Sequence, residues 1–163
     1  MKKKILIMFI VLGILCIIVL LLIPKKDTLQ TCTYQDEKVT IEIDIPKEWT
    51  YKVEEAFSGT EEFEGFPDSG IEIYINEKEE DDIYIFKQEG HINLSQDYDT
   101  EEEFQTTEGL KGILYKKRGA DRVEIALILE DGFYGANMNL PINLYTQNEK
   151  DILAVLKSIK IEK

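Results

Sequence analysis

The sequence predicts an α+β fold: a mostly antiparallel sheet packed by a C-terminal helix and preceded by one N-terminal transmembrane helix. Three observations predict it. An uninterrupted apolar run occupies residues 5–23. From residue 39 onward, short segments alternate apolar and polar residues, as strands with one buried face do. Near the C-terminus the apolar residues recur at helical spacing instead, and strands closed by one terminal helix are typical of α+β domains.

The apolar run, ILIMFIVLGILCIIVLLLI, is long enough to cross a membrane as a helix. At about 1.5 Å per residue it spans roughly 28 Å, close to the hydrocarbon thickness of a bilayer. A cleaved signal peptide is the alternative, but such peptides have shorter apolar cores followed by small residues. The segment Leu22-Ile23-Pro24-Lys25-Lys26 offers no such site. We therefore expect residues 1–23 to be an uncleaved membrane anchor.

Lysine bias predicts the orientation of this anchor. Three lysines precede the run and two follow it, and the more basic flank stays in the cytoplasm. We expect a single-pass protein of the cell membrane whose C-terminal domain is extracytoplasmic. All 32 acidic residues and 16 of the 19 basic ones lie after the run, so the part of the chain beyond the anchor has a net charge of −16. That charge argues against nucleic acid and against anionic lipid as partners of the domain.

Two cysteines are present, and they are not expected to form a disulfide. Cys16 lies inside the anchor and Cys32 beyond it, so a spanning helix separates the two thiols. Cys32 is then a free thiol, which in an oxidising space can cross-link two copies, can be modified, or has no role.

The first elements after the anchor are a tether and two strands. Residues 24–38 mix Lys, Asp, Thr, Gln and Glu without an apolar period and are predicted to be a polar tether. Residues 39–45 alternate Val and Ile with polar residues, and Pro46 ends this strand. Trp49 is expected at the edge of the core, and residues 50–54 form a second short strand. The folded domain is therefore predicted to occupy residues 39–163.

The next segment is irregular and aromatic. Residues 55–70 carry Phe57, Phe63 and Phe66 among acidic residues. This composition indicates either a binding loop or a loop held to the core by its phenylalanines. Residues 71–75 and 83–86 then form a predicted hairpin around the acidic turn EKEEDD.

Two further features of the middle region are tested as metal sites. His91 is the only histidine, and no cysteine lies near it in sequence, which argues against a zinc or catalytic role. The segment DYDTEEE, residues 97–103, is superficially similar to the start of a calcium loop. Glu102 stands where that loop requires glycine, so the segment is predicted to be a solvated acidic loop. No cofactor is predicted.

The C-terminal part is predicted to be a strand meander closed by a helix. Residues 110–117 are a predicted strand, residues 122–130 alternate strongly, and residues 133–140 form the returning strand after Asp131-Gly132, a strong hairpin dipeptide. A capping box from Thr146 to Glu149 is expected to start the helix. One apolar stripe, Ile152, Val155, Leu156 and Ile159, should pack on the sheet.

Four segments together resemble the PsbP-like family of small domains. They are IDIPKEW, TTEGLKGILY, the strand with Tyr134 and Ala136, and the closing DILAVLKSIKI. The resemblance covers most of residues 39–161 and implies a sheet sandwiched by helices. It also implies an accessory or binding domain, since the family has no shared catalytic residues to carry over.

Three functions follow as hypotheses. The favoured one is an anchored extracytoplasmic accessory or binding domain, not an enzyme, with a protein or envelope partner and no identified catalytic, cofactor or metal residue. The second is a hydrolase that uses paired carboxylates, for which two such groups in one pocket with one shifted pKa would be the evidence. The third is a cation-responsive surface domain that uses the acidic turns.

Overall fold

The structure is a computed structural model that describes residues 28–55, 69–76, 78, 81–88, 94, 97–129 and 132–163. Ten strands and one helix occupy these residues. They are β1 (Leu29–Gln35), β2 (Thr40–Pro46), β3 (Thr50–Glu54), β4 (Ser69–Tyr74), β5 (Asp82–Lys87), β6 (Thr100–Gln105), β7 (Lys111–Arg118), β8 (Arg122–Leu129), β9 (Tyr134–Pro141), α1 (Ile142–Ser158) and β10 (Lys160–Glu162). The predicted α+β class, with a mostly antiparallel sheet and a C-terminal helix, is confirmed.

The strands form two antiparallel sheets. The smaller has the order β1-β2-β10, and the larger has the order β3-β4-β5-β9-β8-β7-β6. The predicted β4–β5 hairpin and the β7–β8–β9 meander are present. Gly132 has a φ of 71° at the predicted β8–β9 turn, a conformation that glycine adopts without steric cost.

The prediction that residues 24–38 form a polar tether is wrong for the part that forms β1. This strand pairs with β2 along its whole length, with Cys32 opposite Ile43 and Tyr34 opposite Ile41. Cys32 and Tyr34 are its buried positions. Two apolar residues are too weak a pattern to predict a strand, because pairing with a neighbour rather than propensity stabilises it. The folded domain therefore begins before residue 39.

The predicted capping box is also wrong, because the helix starts earlier. Pro141 is the residue before its first turn, and the Ile142 amide donates to the Asp121 carbonyl at 2.9 Å. The chain thus enters α1 directly from β9. The Thr146 hydroxyl lies within the helix and donates to the Ile142 carbonyl at 2.7 Å. The predicted apolar stripe is buried, and β10, a strand of three residues, was not predicted.

The core lies between the two sheets and the helix. The helix contacts β2 in the small sheet and β8 and β9 in the large one. Isoleucines and leucines from every layer are fully buried there, and Trp49 is buried at 3% exposure. Gly70, the second residue of β4, has a φ of +155°, and a Cβ atom there would lie 1.9 Å from the Ile85 carbonyl oxygen. Only glycine allows that approach of β4 to β5.

Several predicted features lie outside the described residues. They are the anchor, residues 1–23, the loop phenylalanines Phe57, Phe63 and Phe66, and His91. Within the described parts of the chain, no helix combines the length and the apolar character needed to cross a bilayer.

Candidate functional site

The seven-stranded sheet has two faces of different character. We call the face that packs against α1 and the small sheet the inner face, and the opposite one the outer face. Lys116 marks the inner face, because its Nζ donates to the Tyr145 hydroxyl of α1 at 2.9 Å. Since side chains alternate along a strand, the neighbours Tyr115 and Lys117 lie on the outer face.

A cavity of about 410 Å³ lies on the outer face over β5, β9 and β8. Its volume is within the range of small-molecule sites. The polar side chains around it are carboxylates, amides and one phenol: Asp82, Gln88, Tyr98, Glu124, Asn137 and Asn139. Phe86, Leu94, Ala126 and Ile128 are among the apolar residues of the lining.

The strand register places three of these polar side chains in one row. Glu124 of β8 is paired with Asn139 of β9. Ile83 is paired with Met138, so the next position along β5, Asp82, lies beside Asn139. Adjacent strands are about 4.8 Å apart, which puts the backbones of Asp82 and Glu124 about 10 Å apart. The two carboxylates therefore flank an amide across three strands.

Burial changes the acidity of groups in this cavity. The pKa of Asp82 is raised above its ordinary value, chiefly because burial disfavours the charged form. Its own backbone N–H opposes that rise, and the nearby Glu72 and Asp81 add to it. The pKa of Tyr98 is also raised, first by burial and then by the negative charge of Glu124.

A second cavity of about 360 Å³ adjoins the first and shares Leu94 and Tyr98 with it. The Tyr98 and Tyr115 rings meet there with centroids 5.4 Å apart. Acidic residues of the predicted loop, among them Asp97, Asp99 and Glu101, line it. Within the residues that the structure describes, no group of three His, Cys, Asp or Glu side chains could hold a metal ion.

Part of that predicted acidic loop is structured. Thr100 starts β6, so Glu101 and Glu102 belong to an edge strand paired with β7. The Asp99 carboxylate accepts a hydrogen bond from the Arg118 amide at 2.7 Å. This side chain therefore stabilises the chain at the β6–β7 edge.

A larger recess of about 620 Å³ lies along the edge strands β6 and β7. Its lining comes only from these two consecutive strands, between Glu103 and Gln105 and between Lys111 and Ile113. The outer-face cavity draws side chains from three central strands and from the segment before β6. For that reason we regard the outer-face cavity as the candidate site.

Two residues singled out in the sequence lie away from the cavity. Trp49 is buried and forms no exposed patch. Cys32 is buried in β1, and burial, followed by the negative charge of Asp44, raises the pKa of its thiol to about 11. A buried protonated thiol is unreactive, so the structure does not favour cross-linking or modification at Cys32.

Sequence reasoning missed the cavity, although a signal was present. Asn137 and Asn139 alternate with buried residues in β9, and both are exposed. Asparagine is depleted in strands, so two of them at outward positions of a central strand are unusual.

No family model, curated protein or solved structure matches the chain.

Proposed function

We propose that this protein is a membrane-anchored accessory or binding domain whose outer-face cavity holds its ligand. The apolar run, residues 5–23, would hold the domain at the cell membrane, on the extracytoplasmic side by the lysine bias. The proposed binding role rests on one structural observation, the cavity over β5, β9 and β8.

The composition of the cavity supports reversible binding. Amide and carboxylate groups give orientation through hydrogen bonds, and the apolar floor contributes buried area. The cavity is built on central strands paired on both sides, which hold its side chains in place. The resemblance to PsbP-like domains points in the same direction.

The anchor is tested on the full-length protein in its own membranes. We expect the protein to stay with the membranes in alkaline carbonate, and a protease added to the outer side of intact cells to remove the domain. Release by carbonate, or protection of the domain until the cells are lysed, would count against an extracytoplasmic anchored protein.

The binding role is tested by filling the cavity. Ala126 is 7% exposed on the cavity floor, so Ala126→Trp should occlude it. Asn143→Trp, on the exposed face of α1, adds the same side chain elsewhere. We expect cross-linking and native mass spectrometry of full-length protein to find a partner or ligand on wild type and on Asn143→Trp but not on Ala126→Trp. The same occupancy in all three proteins would refute the proposal.

One observation favours a second candidate, a carboxylate-based hydrolase. Asp82 has a raised pKa and shares its cavity with a second carboxylate, Glu124, and such pairs serve as acid and base in glycoside hydrolysis. The test is turnover of 4-nitrophenyl glycosides and esters by full-length protein. Turnover that Asp82→Asn and Glu124→Gln each abolish would support it, whereas no turnover, or equal rates in the variants, would exclude this role for the pair.

A further inference from the structure

The seven-stranded sheet ends in two edge strands, β3 and β6. Within the described residues, β3 is paired with β4 on one side only, and four of its five residues are exposed. The Gln30 side chain of β1 donates to the Trp49 carbonyl at 2.8 Å, one residue before β3 begins. The outward edge of a terminal strand presents backbone N–H and C=O groups on which a further strand can pair. β3 is therefore a place where the sheet can be extended.

β3 also carries exposed apolar side chains. Tyr51 and Val53 are 42% and 39% exposed. They are paired with Ile73 and Ile71 of β4, which are fully buried, so both side chains lie on the inner face at the rim of the core. Covering them would remove further apolar area from water, at about 25 cal/mol per Å². The rim therefore favours a partner that continues the inner face.

The other edge strand has a different charge pattern. Glu101, Glu102 and Glu103 are consecutive and exposed in β6, and charged side chains on an edge oppose pairing with another strand. A second copy of β6 would place like charges opposite one another, which is unfavourable. In β3 the charges alternate in sign instead, since Lys52 and Glu54 form an ion pair on one face of the strand. Of the two edges, β3 is the one that suits pairing with its own copy.

We propose that β3 pairs antiparallel with β3 of a second copy of this chain, so that the two large sheets become one across a two-fold axis. Such an interface uses the same surface of both copies and must be self-complementary. With the axis at Val53, the two valines are opposite one another, and Lys52 of each copy is opposite Glu54 of the other. An axis at Lys52 or at Glu54 would instead bring two like charges together, which is destabilising. An axis at Tyr51 would place Lys52 opposite Thr50, a neutral residue. The charges of β3 therefore select one register.

This pairing is weak unless the two copies are held near each other. An edge of five residues is small beside the interfaces of about 1,200–2,000 Å² that stable complexes bury, and exposed ion pairs contribute about 0–1 kcal/mol. Residues 5–23, as a membrane anchor, would confine both copies to one plane and so raise their effective concentration. The inference goes beyond the binding role of the outer-face cavity, and it rests on the proposed anchor for the strength of the pairing.

Cysteine cross-linking of the full-length protein in its own membranes tests the pairing. Val53→Cys is made in a Cys16→Ala background, where the remaining thiol, Cys32, is buried and has a raised pKa. Opposed Cβ atoms across an antiparallel pair are about 4.5–5.5 Å apart, close to their separation in a disulfide. With copper phenanthroline as the oxidant, we expect a disulfide-linked dimer.

The matched control for this cross-link is Glu102→Cys in the same background. It lies at an exposed position of the other edge strand, β6, and should give little dimer. The absence of a dimer at position 53, or the same yield at positions 53 and 102, would overturn the proposal.

Charge exchange tests the register. Lys52→Glu and Glu54→Lys are each added to the Val53→Cys protein. Either variant alone would face its own copy with two pairs of like charges, so we expect the yield of its dimer to fall severalfold. Co-expressed with different tags, the two variants face each other with opposite charges at both positions, and the mixed dimer should form as in the parent. A folding defect cannot give this recovery. Undiminished dimers of the single variants, or no mixed dimer, would show that this register is wrong, and the proposal would fall with it.

The failure of this inference is distinguishable from that of the proposed function. Carbonate extraction reports on the anchor and Ala126→Trp on the outer-face cavity, and neither involves β3. If the protein stays in the membrane and Ala126→Trp removes a ligand while position 53 gives no dimer, the binding function stands and the pairing is wrong. If carbonate releases the protein, the anchor is wrong, while the yields at positions 53 and 102 still decide the pairing.

Discussion

The two faces of the seven-stranded sheet are built from the same strands and have opposite characters. In β8, Val123, Ile125 and Leu127 are buried on the inner face, while Glu124 lies on the outer face beside the cavity. In β9, Ala136 and Met138 point inward, and Asn137 and Asn139 point outward and are exposed. One face is a dry core, and the other carries a cavity with both polar and apolar lining residues.

This difference teaches that stability and binding are separable within one sheet. The inner face contributes apolar area removed from water, which is the main driving force for folding. The outer face carries the carboxylates and amides that line the cavity. A substitution on one face should therefore leave the property of the other largely intact.

Two aspartates show the same contrast in their pKa values. Asp36 joins the sheets: its carboxylate pairs with Lys87 of β5 and accepts hydrogen bonds from Tyr34 and from two backbone amides. Although burial opposes it, these partners hold the pKa of Asp36 well below its ordinary value. At Asp82, on the outer face, burial raises the pKa instead.

The largest expected loss of unfolding free energy comes from a substitution on the inner face. Leu127 is fully buried, so Leu127→Ala should lower the free energy of unfolding by about 2–5 kcal/mol through lost burial and a cavity. Ile128→Ala, the next residue on the outer face, should cost about 1 kcal/mol, because that side chain is only half-buried. Urea unfolding followed by fluorescence of Trp49, the single tryptophan, measures both; equal losses would contradict the comparison.

A smaller effect is expected at the contact between the sheets. Asp36→Asn should lower the free energy of unfolding by about 1–3 kcal/mol at pH 7, because charged hydrogen bonds are lost. A lowered folded-state pKa stabilises the protein above the unfolded-state value, about 3.9, and this contribution is lost as the pH falls through the folded-state pKa.

The difference between wild type and Asp36→Asn should therefore be constant near neutral pH and shrink below about pH 4. Thermal unfolding between pH 3 and pH 8 measures it. A difference that grew as the pH fell would show that the sign of the pKa shift is wrong.

A further, smaller effect concerns the contact of the helix with the inner face. Tyr145 accepts a hydrogen bond from Lys116 at 2.9 Å and donates one to Glu149 at 2.7 Å. Tyr145→Phe keeps the ring beneath the Lys116 ammonium group and should cost about 1 kcal/mol of unfolding free energy. Tyr51→Phe, at an exposed position of β3, is the matched control and should cost nothing measurable by the same urea titration.

The smallest expected effect is at Asp82 on the outer face. There the substitution should raise the free energy of unfolding, whereas the substitutions above lower it. A raised folded-state pKa means that the charged Asp82 is disfavoured by folding. Its stabilising contribution is present below the unfolded-state pKa and lost as the pH rises through the folded-state pKa. Asp82→Asn should thus raise unfolding free energy by about 0.5 kcal/mol at pH 7 and not at pH 3. A loss of stability at pH 7 would mean that the Asp82 charge supports the fold.

The sequence by itself determined the elements whose patterns are strong. Alternation in residues 39–45 and 122–130 predicted β2 and β8, because a period of two leaves one buried face. The Asp131-Gly132 dipeptide predicted the turn into β9, and apolar spacing predicted the buried stripe of α1. The acidic composition likewise follows from the residues alone.

Only the tertiary structure decided what depends on neighbours distant in sequence. β1 and β10 are strands because β2 lies between them, and their own patterns are too short to specify them. The helix starts at Ile142 because β9 leads directly into it. The cavity exists because β9 lies between β5 and β8, which brings Asp82, Asn139 and Glu124 into one row. A local pattern shows which side of a strand is buried, whereas the order of strands in the sheet determines which polar side chains meet.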